Sequence, residues 1–448
     1  MAQTAKDKQV VGYLPDETPS PGKLIIFALQ QVLVMFPATV TVALLTGFHI
    51  STTIFASGVA TICFLLVTKG KIPLYYGSSF SYIAAIVSIT GVKAIGEIAP
   101  DALISQAQFG IMCSGLVSIV AGLIVSRFGL KSIEKVLPPT VTGSIAIVIG
   151  LTLAGSALTG AGQDSITNAI TWQAWTAALV TLVSTIAFSV YLKGVLGQLP
   201  ILFGIIVGYL VAIPLGLVDF SIIMADGIVG VPHFTLPTPN WSSVIAIMPI
   251  AIATIPESTA HIFQLDIYVN NLSKQKGKKQ YKIAEKLGLN LIGDGIGDIV
   301  SAAIGGPAGT NYGENISAMA ITKNFSTKML GVAAIFAMVI SFLNPLTNAI
   351  RTVPSSVING ACIYLFGVIA AQGISIMLNK KTDLFDARNL AVIAVILIIG
   401  LGGHYGWADN MIPISETIKL PSIATAAVVG IVFNLLLSIG RKEEAATS

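Results

Sequence analysis

Long apolar runs, interrupted by short polar stretches, set the pattern of the chain. Fourteen stand out, near residues 24–46, 51–68, 72–91, 106–126, 137–155, 171–192, 199–217, 243–265, 287–304, 308–322, 329–344, 355–377, 389–403 and 420–440. A helix needs about 20 apolar residues to cross a bilayer. The pattern therefore predicts an all-α polytopic membrane protein with 14 transmembrane segments. The polar amino-terminal stretch, MAQTAKDKQVVGYLPDETPSPGK, lacks the apolar centre of a cleaved leader, and the run from Leu24 is long enough to remain a span.

Composition narrows the class. Hydrophobic residues make up 54% of the 448 and charged residues 10%, against about 25% charged in soluble domains. Ordinary soluble enzymes, disordered chains and coiled coils are excluded. A net charge of +4 over this length is too weak a field to hold nucleic acid. Cys63, Cys113 and Cys362 lie in apolar runs without metal or redox spacing, and the four histidines (His49, His233, His261, His404) are scattered. No metal site, cofactor or nucleophile–base constellation is expected.

The few charges orient the spans. With the amino terminus placed in the cytoplasm, 22 of the 25 Lys and Arg fall in inside segments. These are Lys6, Lys8, Lys23, Lys69, Lys71, Arg127, Lys131, Lys135, Lys193, the lysines from Lys274 to Lys286, Lys323, Lys328, Lys380, Lys381, Arg388, Arg441 and Lys442. Only Lys93, Arg351 and Lys419 fall outside, and the outer stretch 218–242 holds Asp219 and Asp226 with no Lys or Arg. Basic residues favour the cytoplasmic side, so both termini are placed there. The lysines of 274–286 and Asp266 read as a solvated inside loop.

Two stretches resemble each other. Tyr76-Gly77-Ser78-Ser79-Phe80-Ser81-Tyr82-Ile83-Ala84 aligns with Tyr312-Gly313-Glu314-Asn315-Ile316-Ser317-Ala318-Met319-Ala320, and Leu137-Pro138-Pro139 more weakly with Val353-Pro354-Ser355. Each pair lies seven spans apart. Seven is odd, so the halves form two inverted 7-span repeats. Spans 3 and 10 each open with a short extended segment before a helix. Non-helical backbone at membrane depth is tolerated only where it is buried or lines a cavity, and transporters of this design bind substrate there. The plainer alternative is a pair of loop-to-helix junctions near the surface.

Ionisable residues inside spans are functional candidates by default. They are Glu257 and His261, four apart on one helical face, Asp294 and Asp298, likewise four apart, and Glu314 at a helix start. Each also has a structural reading. Glu257 follows Pro256 and can serve a helix break, Glu314 can be a first-turn acid, and His261 a satisfied core histidine. The two aspartates orient Glu257 or His261, carry a proton, or sit near the cytoplasmic end. Phe80 is either a stacking wall for a flat ligand or ordinary packing.

At these residues the chain resembles the nucleobase–ascorbate transporter family, the second nucleobase–cation symporter family, and within it the bacterial uracil permease type. The likeness runs from about Leu24 to Gly440. Glu314, Asn315, Thr322 and Lys323 fit the family signature, with Ser317 where Gly is usual. Glu257 and His261 match a Glu-x-x-x-His pattern, with Ser258 in place of a common His. Gln30-Gln31 stands where Gln-His is frequent. Phe80 matches the family's stacking aromatic. Asp294 matches a position that is Asp in many purine carriers and Asn in some uracil ones.

The resemblance implies a secondary active transporter importing a nucleobase, most simply uracil by proton symport. A purine base such as xanthine or urate, coupling to Na+, and an anion transporter of the same fold are the alternatives. It implies substrate contacts from Ser79, Phe80, Glu257, Tyr312, Gly313 and Glu314, proton coupling through Glu257, His261 and Asp294, and support from Gln31 and Asn315. It also implies a core domain (24–135 and 243–345) and a gate domain (136–242 and 346–440) between tails 1–23 and 441–448, usually a homodimer in the plasma membrane. Enzyme activity is not expected.

Overall fold

The computed structural model describes residues 12–92, 94–129, 135–167, 169–194, 196–224, 227–407, 411–415 and 419–439. Lys6, Lys8, Lys93, Lys131, Asp226, Arg441, Lys442 and the tail 441–448 lie outside them.

Each predicted run carries a helix. In chain order these are α1 Pro21–Thr46, α2 Ile50–Val67, α3 Phe80–Thr90, α4 Asp101–Phe128, α5 Pro139–Ala161, α6 Trp172–Tyr191, α7 Pro200–Ala212, α8 Trp241–Ile247 and α9 Ile250–Gln275. They continue with α10 Leu287–Ala303, α11 Gly313–Thr322, α12 Thr327–Ile340, α13 Asn344–Arg351, α14 Ser355–Asn379, α15 Ala387–Leu397 and α16 Ser422–Leu436. Among the described residues, eight helical segments are long and apolar enough to cross a membrane, α8 and α9 counting as one. Start signals are local. Proline opens α1, α5 and α7, where its missing N–H costs nothing. Thr171 and Asn240 cap α6 and α8 by accepting from Ala174 N and Ser243 N. On α4, Leu116, Val120 and Leu123 are exposed at helical spacing, the apolar face a lipid-contacting helix presents.

The run at 243–265 is two pieces, divided at Met248 and Pro249, and its second helix continues to Gln275. Pro256 sits inside α9 without ending it. Helix α13 has no counterpart among the predicted runs. It carries Asn344, Thr347, Asn348 and Arg351, too polar to read as a span.

Strands β1 (Tyr76–Ser78) and β2 (Gly309–Asn311) pair antiparallel, with Tyr76 opposite Asn311 and Ser78 opposite Gly309. Ser79 N→Ala308 O at 2.9 Å and Tyr312 N→Tyr75 O at 3.1 Å extend the ladder at both ends. Helix α3 follows Ser79 and α11 follows Tyr312. The two strand-to-helix junctions therefore correspond in a register three residues away from the one the sequence likeness gives. A second small pair, β3 (Met411–Pro413) with β4 (Lys419–Pro421), closes the approach to α16.

Helices cross where glycine removes the side chain. A Cβ on Gly115 would lie 2.5 Å from Gly295 O, one on Gly295 2.2 Å from Gly115 O, and one on Gly122 2.6 Å from Gly288 O. This brings α4 and α10 backbone to backbone. Gly143 and Gly373 do the same for α5 and α14, at 2.6 and 2.3 Å. Small residues at crossings are how membrane helices associate, since lipid offers no hydrophobic drive between them.

In the lysine loop after α9, Lys274, Lys278, Lys279 and Lys282 are exposed, as expected, and some of its residues also make specific contacts. Lys276 Nζ donates to Glu17 Oε2 (2.6 Å) and to Gly12 O (2.9 Å), and Lys278 Nζ to Glu17 Oε1 (2.8 Å). Asp266 accepts from Ile283 N (2.6 Å) and Ala284 N (3.2 Å). The amino-terminal segment also pairs Tyr13 with Asn324, so it straps this loop to the end of α11.

Two expectations follow. Gly295→Val should separate α4 from α10 and lower the stability of the detergent-solubilised protein by about 1–3 kcal/mol, the usual penalty of overpacking. Gly331→Ala, with open space around its Cβ position, should be neutral, and thermal melts of the two variants check the contrast. Burial pushes the Glu17 carboxyl up, but hydrogen bonds from Lys276 and Lys278 outweigh it and hold Glu17 at about 2, below its ordinary 4.5. A depressed carboxylate stabilises fully above its unfolded value and loses that contribution as pH falls through the folded one. Glu17→Gln should therefore cost about 1 kcal/mol near neutral pH and lessen the fall in melting temperature between about pH 5 and pH 3.

Candidate functional site

The strand pair places α3 and α11 with their amino-terminal ends inside the protein. Their first N–H groups have no intrahelical partner and their dipoles favour electron-rich atoms. Helix α9 packs against the Phe80–Tyr82 turn, β2 and α11, which brings Glu257 and His261 to the same place. Glu257 lies beside the Ser81 hydroxyl and within electrostatic reach of Glu314. His261 meets the backbone of Asn311, and its Nε2 would be 2.8 Å from a Cβ on Gly313. Glycine at 313 is what lets the imidazole lie against the helix start.

Exposure divides the predicted residues into two layers. Phe80, Ser81, Glu257, His261 and Gly313 are partly exposed and Glu314 is exposed. These carry the accessible surface of the group. Ser79, Tyr312, Asn315, Gln31, Asp294 and Asp298 are buried beneath them.

The buried layer is a hydrogen-bonded frame. Tyr312 Oη donates to Ser78 O (3.0 Å) and lies 2.9 Å from Thr39 Oγ1. Its ring covers Gly77, where a Cβ would sit 2.4 Å from it. Ser79 accepts from Ser81 N at 3.3 Å, capping the Phe80 turn. Asn315 Nδ2 donates to Gln31 Oε1 (2.7 Å) and Gln31 O (3.0 Å), tying α11 to α1. Ser79 and Tyr312, both expected to contact substrate, are buried and hydrogen-bonded within the two junctions.

The two aspartates also serve the frame. Asp298 Oδ1 accepts from Tyr76 Oη (2.6 Å) and Gly309 N (2.8 Å), clamping both strands to α10. Asp294 accepts from Asn311 Nδ2 (2.7 Å), from the Ser258 hydroxyl, and from Asn290 Nδ2 (3.3 Å). Neither aspartate has a hydrogen bond to Glu257 or His261 among the described residues. Between Asp294 and the α9 pair stand Ser258, one residue after Glu257, and Asn311, whose backbone His261 meets.

Sequence reasoning missed Ser258 as a partner, and missed Asn290 and Asn311 altogether. The available signal was Asn290 lying four residues before Asp294, which puts both on one face of an otherwise apolar helix. Among the described residues, His261 Nδ1 is buried without a hydrogen-bond partner. An aromatic wall, two carboxylates, free imidazole nitrogen and two helix starts can together hold a flat ligand bearing both N–H donors and carbonyl acceptors.

The fold also gathers two histidines that the sequence scatters. His49 and His233 both reach Asp101, at 3.4 and 2.7 Å, away from the site described above.

Comparison with known proteins places this arrangement. The chain is 37% identical over 437 residues to the uracil permease of Bacillus caldolyticus, covering 96% of this chain and 95% of that one. It is 35% identical over 444 residues to the uracil permease of Bacillus subtilis strain 168, covering 96% of each. It is 34% identical over 440 residues to the uracil permease of Escherichia coli K12, covering 96% and 95%. In overall fold it resembles the murine Slc26a9 anion transporter in its inward-facing state (TM-score 0.65, 12% identity, 95% of this chain and 69% of that one). It also resembles the transmembrane domain of the cyanobacterial bicarbonate transporter BicA (TM-score 0.54, 11% identity, 94% and 97%). Residues 22–408 match the Permease family. A frame of buried polar contacts set within apolar helices, together with these relatives, makes this a multi-pass membrane protein and a transporter rather than an enzyme: the chain belongs to the permease family whose likeness residues 314–323 already carry.

Proposed function

We propose that the protein imports a nucleobase, uracil, by proton symport. The observation that carries this reading is the accessible face formed by Phe80, Glu257, His261 and Glu314, backed by two converging helix starts. Uracil is a flat ring whose N–H groups are flanked by carbonyls. Glu257 and Glu314 each accept a ring N–H, while backbone N–H groups at Phe80 and Glu314 donate to the carbonyl oxygens. Phe80 covers the ring face. The names of the relatives agree with this substrate.

A proton enters with the substrate, carried by Glu257 or His261. A bare carboxylate crossing a dry environment costs far more than a neutral one. Asp294, expected as a third carrier, is committed to Ser258, Asn290 and Asn311, which favours Glu257 and His261. Sodium coupling would call for a cage of oxygen ligands, and His261 is a poor member of one. An anion substrate of the kind named for the fold neighbours would meet two carboxylates at this face, and like charges repel.

Helix packing supports the proposed inverted repeat of 14 spans with both termini cytoplasmic. Helix α4 lies on α10 as α12 lies on α2, α6 on α7 as α15 on α16, and α6 on α14 as α15 on α5. Each relation maps onto the other under a shift of seven spans. The proposed core (α1–α4 with α8–α12) and gate (α5–α7 with α14–α16) are packed extensively within themselves. They meet where α9 and α3 touch α5 and where α8 and α9 touch α16, and α3 and α9 carry Phe80 and Glu257. Motion of one unit against the other would expose the face alternately, and a homodimer joined through the gate would anchor it.

Reconstituted protein and radiolabelled uracil test the reading. Glu257→Gln should abolish concentrative uptake and its pH dependence; unchanged coupling in that variant would overturn Glu257's assigned role. Phe80→Ala should weaken uracil binding about tenfold, the equivalent of roughly 1.4 kcal/mol of lost ring contact. Competition by xanthine that matches competition by uracil would favour the purine alternative, and loss of uptake on replacing Na+ at constant proton gradient would favour sodium coupling.

A further inference from the structure

We propose that His49, Asp101 and His233 form a binding site for a zinc-class divalent cation that pins the 227–240 segment onto the helical body. The three residues come from separate parts of the chain. His49 precedes α2 at its cap, Asp101 is the first residue of α4, and His233 lies in the long connection between α7 and α8. One donor atom from each lies within 4.8 Å of the others. His49 Nε2 is 3.4 Å from Asp101 Oδ1, and His233 Nε2 is 2.7 Å from Asp101 Oδ2.

Tetrahedral zinc, with bonds of about 2.0–2.2 Å, spaces its ligand atoms about 3.3 Å apart. The two histidines approach different oxygens of Asp101, and the three donor atoms lie within 4.8 Å of one another, so closing on an ion needs side-chain shifts of about 1 Å. Two imidazoles and one carboxylate match zinc better than magnesium or calcium, which prefer oxygen throughout. Three protein ligands leave a fourth position for water. Asp101 and His233 side chains are 55% and 52% exposed, so an ion can enter from solvent.

The ligands sit on firm anchors. Thr53 Oγ1 donates to His49 O at 2.9 Å, fixing the cap, and Thr52 Oγ1 donates to His233 O at 2.6 Å, fixing the loop backbone beside it. The next residue, Phe234, packs edge-on against Phe55 with ring centroids 5.3 Å apart. The histidine rings themselves are 4.3 Å apart at a tilt of 43°. Two further charged side chains, Arg351 and Glu97, line the neighbouring cavity of about 140 Å³ with His49. Without a metal the cluster is a pair of His–Asp hydrogen bonds, and the ion's specific contribution is to bind the connecting segment to α2 and α4 at once.

Full-length protein in detergent, stripped with EDTA and dialysed against zinc chloride, tests the site by elemental analysis and by melting. The expectation is a single zinc per chain, weakened at least tenfold in His49→Ala and His233→Ala, and unchanged in His404→Ala. Zinc should raise the melting temperature of the wild type and leave that of the double variant where it was. Cobalt in place of zinc should give the intense visible absorption of a tetrahedral site in the wild type alone. Circular dichroism and gel-filtration profiles matching the wild type exclude misfolding of the variants. Wild type that takes up no more zinc than the double variant, or zinc uptake indifferent to His49 and His233, would overturn the proposal.

Discussion

Within hydrocarbon, a backbone N–H or C=O without a partner costs several kcal/mol. That cost is the constraint on which this architecture depends. Two segments leave helical conformation inside the bundle, Tyr76–Ser78 and Gly309–Asn311, and neither can be satisfied alone. They satisfy each other as an antiparallel pair, and side chains finish the task. Thr61 Oγ1 accepts from Tyr76 N (3.0 Å) and donates to Tyr76 O (2.9 Å), while Asp298 takes Gly309 N. Because the strands run in opposite directions, the helices that follow them start from opposite sides of the pair. The crossing is thus both the repair of a backbone defect and the device that aims two helix ends at one place.

Supporting that crossing requires polar groups where they are expensive. Asp294, Asp298, Asn290, Asn311, Asn315 and Ser258 are all nearly or wholly buried. A buried polar group is tolerable when its partners are supplied in full, and a half-satisfied network is worse than none. The frame shares its donors among several acceptors, and leaves Asn311 Oδ1 and Asn315 Oδ1 without a partner among the described residues. Asn311 Nδ2 reaches Asp294, with Ser258 and Asn290 at 3.3 Å, and Ser258 in turn accepts from Asn290 at 2.7 Å. Asp294 and Asp298, which read from sequence as candidate proton carriers, each accept several of the frame's hydrogen bonds.

What was legible in the sequence follows from this division. Apolar runs and helix caps are local signals, so the helices appear where the pattern puts them. The extended starts of spans 3 and 10 were legible because Gly77 and Gly313 break apolar runs. The register was not: the sequence likeness matches Tyr76 to Tyr312, whereas the strand-to-helix junctions make Ser79 the counterpart of Tyr312 and the ladder pairs Tyr76 with Asn311. Glu257, His261 and Glu314 declared themselves as charges where charge is costly. Asn290 and Asn311 carry no charge and lie among ordinary polar residues, so nothing but the fold reveals their contact with Asp294. The meeting of His49 and His233 at Asp101 spans long sequence separations, and no spacing rule encodes it. Helix α13 escaped because a polar helix beside the bundle leaves no mark in a hydropathy pattern.

The strand register also bears on how a near-symmetric frame makes an asymmetric site. At corresponding junction positions stand Ser79 and Tyr312, Phe80 and Gly313, Ser81 and Glu314. Behind the helix starts the two halves are fixed by different means, a capping serine in one and a tyrosine wedged over Gly77 in the other. At the face itself, one half offers an aromatic ring and a hydroxyl, the other an open glycine and a carboxylate. Gly313 makes room for His261 from α9, and Ser81 lies against Glu257. In the proposed reading, a planar nucleobase needs this inequality: one junction to cover its face, the other to accept its edge, with the acid and imidazole of α9 completing the acceptor side. An equal pair of junctions would present the same chemistry twice, from opposite directions, to a ligand that lacks that symmetry. The backbone crossing sets the two-fold frame, and the side chains at three positions on each side break it where the ligand would lie.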